Sequence, residues 1–121
     1  MIEKKNKFYA KKIITNEGKF DSIGEYKYYQ QLLLLKKAIE LKDRIVAIER
    51  QVNFTFVVND VTIGRYIADF VITFGDGRTE VHDFKNPYVV KGKGKSSPIG
   101  QIFAYKKKLM KALFGIDLVV A

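Results

Sequence analysis

Asp69, Asp83 and Lys85 lie in a stretch whose pattern brings them onto one surface. Arg65 to Phe74 is rich in β-branched and aromatic residues, and Thr79 to Lys85 alternates, so both segments read as strands. Gly75-Asp76-Gly77 between them is a tight-turn cluster. If those three residues form the loop, Phe74 faces Arg78, and counting outward sets Asp69 opposite Asp83. Cross-strand neighbours have Cβ atoms roughly 4.5–5.5 Å apart. Two carboxylates that close raise each other's pKa unless a cation lies between them. Hard oxygen donors at that spacing suit Mg²⁺ or Mn²⁺. Lys85, one step along the same face, fits a role in phosphodiester hydrolysis. An Asp69–Lys85 salt bridge is the rival reading, but two acids against one lysine leave negative charge, which favours a metal. His82 and Glu80 point to the opposite face by parity.

The elements that must position this hairpin are legible on both sides of it. Lys11 to Thr15 and Lys19-Phe20 flank Asn16-Glu17-Gly18, a short turn and a small hairpin, while the lysine-rich start is expected to fray. Ser22-Ile23-Gly24-Glu25 fits a capping box, with Glu25 reaching back to Ser22. The helix it opens is expected to run to Leu41, with Tyr28, Leu32, Leu35 and Ile39 as its apolar stripe. Ile45 to Val58 reads as a strand, with Asn59-Asp60 turning into the hairpin; Gln51 on it reads as an active-site-edge amide or a plain polar strand residue, the latter preferred. After Asn86-Pro87, the segment Lys91 to Ser97 reads as a cationic loop. Ser97-Pro98 starts a last helix that Gly115 closes. Ile116 to Val120 is then expected as a buried strand parallel to the second hairpin strand.

Asp69, the turn, and Asp83-Phe84-Lys85 together resemble the PD-(D/E)xK nuclease signature, with Ala68 in place of the leading proline. Gln101 and Tyr105 resemble the QxxxY element of RecB-type nucleases, in the same order after the DxK strand. Phe20-Asp21-Ser22 followed by Glu25 is similar to the opening of phage Holliday-junction-resolvase-like proteins. The resemblance covers nearly the whole chain. It implies one nuclease-like domain over residues 1–121 with a restriction-endonuclease-like α/β (α+β) core. That core is a mixed central sheet with an antiparallel meander, flanked by two helices. It also implies a Mg²⁺-dependent endonuclease, Mn²⁺ being a plausible substitute. Asp69, Asp83, the Phe84 carbonyl and Glu25 would hold the metal, and Lys85 would orient water or neutralise phosphate. Gln101 and Tyr105 would steady the site or the substrate backbone. Branched DNA is the implied substrate, and paired cuts on a symmetric junction imply a homodimer. The alternatives are a nuclease of the same fold acting on flaps, single strands or duplex DNA, or a non-catalytic nucleic-acid-binding protein on this scaffold.

Composition agrees with a polyanionic partner. The 121 residues carry a formal net charge of +9 with 47% hydrophobic content, which fits one globular, basic domain. From Lys85 onward, eight lysines face the single acid Asp117. Lys91, Lys93, Lys95, Lys106, Lys107 and Lys108 are the candidate nucleic-acid contacts. There is no cysteine and one histidine, which excludes disulfides and thiolate metal sites and makes a histidine-rich zinc site implausible. No apolar run reaches membrane-spanning length, and no signal-peptide core precedes the first helix. The expectation is a cytoplasmic protein without a membrane partner.

Overall fold

A computed structural model describes residues 2–5, 11–85 and 98–121, with side chains from 13–85 and 100–121. The chain opens with a three-stranded antiparallel sheet of β1 (Ile2–Lys5), β2 (Lys11–Thr15) and β3 (Gly18–Phe20). Helix α1 (Ile23–Leu34) follows and continues into a short 3₁₀ turn, Leu35–Lys37. Two long strands, β4 (Ile45–Val58) and β5 (Val61–Phe74), then form a hairpin whose turn residues Asn59 and Asp60 both have positive φ. That is the geometry a two-residue hairpin loop requires. Strand β6 (Thr79–Asp83) returns against β5, helix α2 (Pro98–Phe114) crosses over, and β7 (Val119–Val120) pairs parallel to β6. The result is a mixed four-stranded sheet, β4-β5-β6-β7, with two helices.

Two apolar clusters hold the helices to this sheet. Phe70, Ile72, Phe74 and Ile45 pack with Leu32, Tyr28 and Tyr29 of α1. Phe56, Tyr66, Ala68 and Val81 pack with Met110, Phe103 and Leu109 of α2 and with Leu118. The buried even-numbered positions of β5 therefore change partner helix between Ala68 and Phe70. Asp69 lies at the change.

Three expectations need correction. The segment after Ser22 is helical only to Leu34: Ala38 is extended, and Arg44 donates to the Ala38 and Ile39 carbonyls, which satisfies them outside a helix. Leu35 and Ile39 are consequently solvent-exposed, Ile39 by 89%, instead of extending an apolar stripe. The N-terminal lysine-rich segment supplies β1, paired with β2. The terminal strand is also shorter and less buried than expected, because β7 is an edge strand with Val119 and Val120 both exposed and only Leu118 in the core. Gly115 does end α2 as expected: its φ is +69 and its N–H donates to the Lys111 carbonyl, an αL close, and the Ile116 N–H reaches the Met110 carbonyl. Ser97 and the cationic loop lie outside the described residues.

Phe70 is fully buried and stacked on Tyr29, with ring centroids 5.9 Å apart. Phe70→Ala is expected to cost about 3–5 kcal/mol. Ile39→Ser should change stability by less than about 0.5 kcal/mol. Urea melts of the two variants would expose an error in where α1 ends, because a helix running to Leu41 would bury Ile39.

Candidate functional site

The hairpin between β5 and β6 has the three-residue loop that sets the register. Phe74 N–H donates to the Arg78 carbonyl at 2.8 Å, Gly77 N–H returns to Phe74, and Gly77 has φ +90. Thr73↔Thr79 through Phe70↔His82 are paired, so the next step sets Asp69 opposite Asp83. There the ladder stops. The Phe84 N–H donates to the Asp69 carboxyl oxygen Oδ2 at 2.9 Å instead of to a strand carbonyl. The neighbouring backbone groups of β6 turn the other way: the Asp83 carbonyl accepts from Ala121 N–H, and Lys85 N–H donates to the Ala121 carbonyl. Because backbone groups alternate sides along an extended chain, the Phe84 carbonyl shares the side of its own N–H, toward Asp69.

Glu25 reaches this point from α1. Ser22 caps the helix, its hydroxyl accepting from Glu25 N–H at 3.0 Å. Glu25 completes the box one residue earlier than expected, accepting from Asp21 N–H at 3.2 Å. Its side chain is buried. The start of α1 can approach so closely because residue 24 is glycine: a Cβ there would lie 2.6 Å from Cζ of the Phe84 ring. A cap and a position in the acidic cluster thus coexist in one carboxylate.

The electrostatics centre on Asp69. Burial pushes its pKa up, and contact with Asp83 and then Glu25 adds to this, raising it to about 9. Asp83 is buried, and its Oδ2 lies 2.7 Å from Lys85 Nζ. That is ion-pair distance, yet no hydrogen bond is aligned on this oxygen. The lysine's partner is therefore Asp83, not Asp69. Its ammonium also sits 4.0 Å above the Phe103 ring of α2, a cation–π contact that holds it in place. The buried Tyr66 hydroxyl, with no aligned hydrogen bond, is held far above its usual range by burial and then by the charge of Asp83. Gln51 of β4 donates from its amide to Asp69 Oδ1 at 3.4 Å.

The structure thus brings together Asp69, Asp83, Lys85, Phe84 and Glu25. Among the described residues, no three His, Cys, Asp or Glu side chains already surround one cation position. The donor set is hard oxygen, with three acids to one lysine, the ligand chemistry that a divalent cation such as Mg²⁺ would take. Gln101 and Tyr105 are exposed on α2, and Phe103 of that helix meets the site through Lys85. Lys107 and Lys108 are exposed and Lys106 is half-buried; Lys91, Lys93 and Lys95 lie outside the described residues. On the other face, His82 bridges Tyr28 (2.5 Å) and Glu80 (2.8 Å), tying β6 to α1. Sequence reasoning preferred the plain polar reading of Gln51 over the active-site-edge one, and missed Tyr66 and Phe103. Parity assigns Tyr66 to the face away from Asp69, and Phe103 reads as ordinary core.

The family model described as "Protein of unknown function (DUF1064)" matches residues 5–114. The chain belongs to this family. No curated protein and no solved structure matches it. Among the described residues, no helix of this family member is long and apolar enough to cross a membrane.

The raised pKa fixes a sign for pH dependence. Between roughly pH 4 and pH 9 the folded state keeps the Asp69 proton that the unfolded chain has released, so stability falls as pH rises through this window. Asp69→Asn removes that loss while keeping an acceptor for Phe84 N–H. In metal-free buffer the variant should match wild type below pH 4 and melt several degrees higher at pH 8–9. About 1 kcal/mol corresponds to roughly 4 °C in a domain of this size. A melting-temperature difference that does not grow with pH would remove Asp69 as the strained group.

Proposed function

We propose that this chain is a metal-dependent DNA endonuclease that hydrolyses phosphodiester bonds, acting on branched DNA as a homodimer. The observation that carries the reading is the cluster around Asp69. Three carboxylates meet where β5 and β6 part, with one lysine ion-paired at their edge. A purely structural cluster would be expected to balance its charge, since burying like charges is costly. Mg²⁺, or Mn²⁺ in its place, would be held by Asp69, Asp83 and Glu25 with the Phe84 carbonyl. Such an ion supplies a more acidic attacking water and neutralises charge at the scissile phosphate.

The chain's own residues supply the rest. Lys85, fixed between Asp83 and the Phe103 ring, presents a positive charge to a phosphate oxygen or to the attacking water. Lys106, Lys107 and Lys108 on α2, with Lys91, Lys93 and Lys95, contact the nucleic-acid backbone, where lysine acts as a point charge without sequence preference. Gln101 and Tyr105, on the exposed side of α2, face the substrate strand. Preference for branched DNA rests on the likeness of Phe20-Asp21-Ser22 and Glu25 to phage resolvase-like proteins. A symmetric junction cut in both strands calls for two copies of the site.

The test offers a labelled four-way junction, a flap and a linear duplex with Mg²⁺, to wild type and to Asp83→Ala. Paired cuts in the junction, reduced at least roughly 10²–10³-fold in the variant, are expected. Preferential cutting of linear duplex would remove the junction reading. Tight binding without cutting in either metal would leave a non-catalytic nucleic-acid-binding protein. Replacing Lys106, Lys107 and Lys108 by alanine should flatten the salt dependence of binding, by about 0.9 in log–log slope for each phosphate that is no longer neutralised.

A further inference from the structure

Among the described residues, three that are not glycine have positive φ. Two form the Asn59-Asp60 turn, where the hairpin demands it. The third is Gln51, φ +53, in the middle of β4. Pairing continues on either side of it, Arg50↔Phe70 and Val52↔Ala68, with no register shift between them. Gln51 is therefore not the extra residue of a bulge. It lies directly across from Asp69. A left-handed conformation at a glutamine is uncommon; asparagine, aspartate or glycine adopts it more readily.

Strain of this kind persists where surrounding contacts hold it. Here the contact is the amide of Gln51, which donates to Asp69 Oδ1 while Phe84 N–H donates to Oδ2. Both carboxyl oxygens are thus gripped from opposite neighbouring strands, which fixes the orientation of the carboxyl plane. Both donors also favour the ionised form, against burial and the two other acids. We infer that Gln51 is a positioning residue that orients the Asp69 carboxylate for a divalent cation. The inference rests on the metal-dependent reading above and adds a residue to it. Outer hydrogen bonds of this type typically change metal affinity or activity by roughly 10- to 100-fold.

Gln51→Gly and Gln51→Ala separate the amide from the backbone, since glycine accepts φ +53 without strain and alanine does not. Mn²⁺ binding would be measured by calorimetry on wild type and both variants, beside their thermal melts. Expected is at least tenfold weaker Mn²⁺ binding in both variants, with Gln51→Gly melting no lower than wild type in metal-free buffer. Affinity within threefold of wild type in either variant overturns the positioning role and leaves the nuclease reading standing. Wild-type protein that binds no Mn²⁺ overturns both. Cation binding weakened by the variants, without DNA cleavage by wild type, supports Gln51 and counts against the nuclease alone.

Discussion

A carboxyl group placed inside a sheet is the constraint on which this structure turns. Asp69 lies between the fully buried Ala68 and Phe70, on a strand whose neighbours are apolar, and removing its charge from water is costly. The protein meets that cost with donors taken from different elements. The Phe84 N–H comes from the end of β6, and the Gln51 amide comes from β4. Even so, Asp83 and Glu25 face the same group, so the site without a cation keeps a proton that ordinary aspartates lose.

The two apolar cores meet at this point, and that explains how groups from both helices gather there. Phe70, Ile72 and Phe74 anchor α1, which brings Glu25. Tyr66, Ala68 and Val81 anchor α2, which brings the Phe103 ring beneath Lys85. Gly24 removes the one Cβ that would keep the first turn of α1 away from Phe84. Glu25 then serves as helix cap and as member of the acidic cluster with no change of conformation. The capping box alone points only to the cap; the second role of Glu25 was suggested by the resemblance, because its other partners are remote in the chain.

Local physics made much of this legible. A glycine-flanked three-residue loop admits one register, and that register alone sets Asp69 against Asp83. Ser22 and Gly115 bound their helices because they satisfy orphaned backbone groups by local means. The extent of α1 was not legible. Leu35, Ile39 and Leu41 continue a helical apolar pattern, yet the chain leaves the helix at the extended Ala38 and bends, with Arg44 holding the Ala38 and Ile39 carbonyls. Lys85 likewise had two acids within plausible reach, and pairing with Asp83 was settled by the Phe103 ring that fixes its ammonium.

The clearest division falls between Arg50 and Gln51. The sequence by itself determined a two-residue turn at Asn59-Asp60, and a regular ladder from that turn would set Arg50 opposite Asp69. Such an arginine would neutralise the carboxylate as a salt bridge. In the folded chain Val57 pairs with Thr62 but Phe56 pairs with Gly64, so Ile63 is an extra residue and the register moves by one. Arg50 then faces Phe70 in the ladder, and its guanidinium lies 3.6 Å over the Phe20 ring and donates to the Glu17 and Lys19 carbonyls of the small sheet. Gln51 takes the place beside Asp69. Gly64 sits at this bulge with φ +158, and an isolated glycine within a strand is its local mark, but such a glycine does not by itself say which way the register moves. Residue types and the β5–β6 turn decided which carboxylates would meet; tertiary packing decided that an amide, and not a cation, would stand across from them.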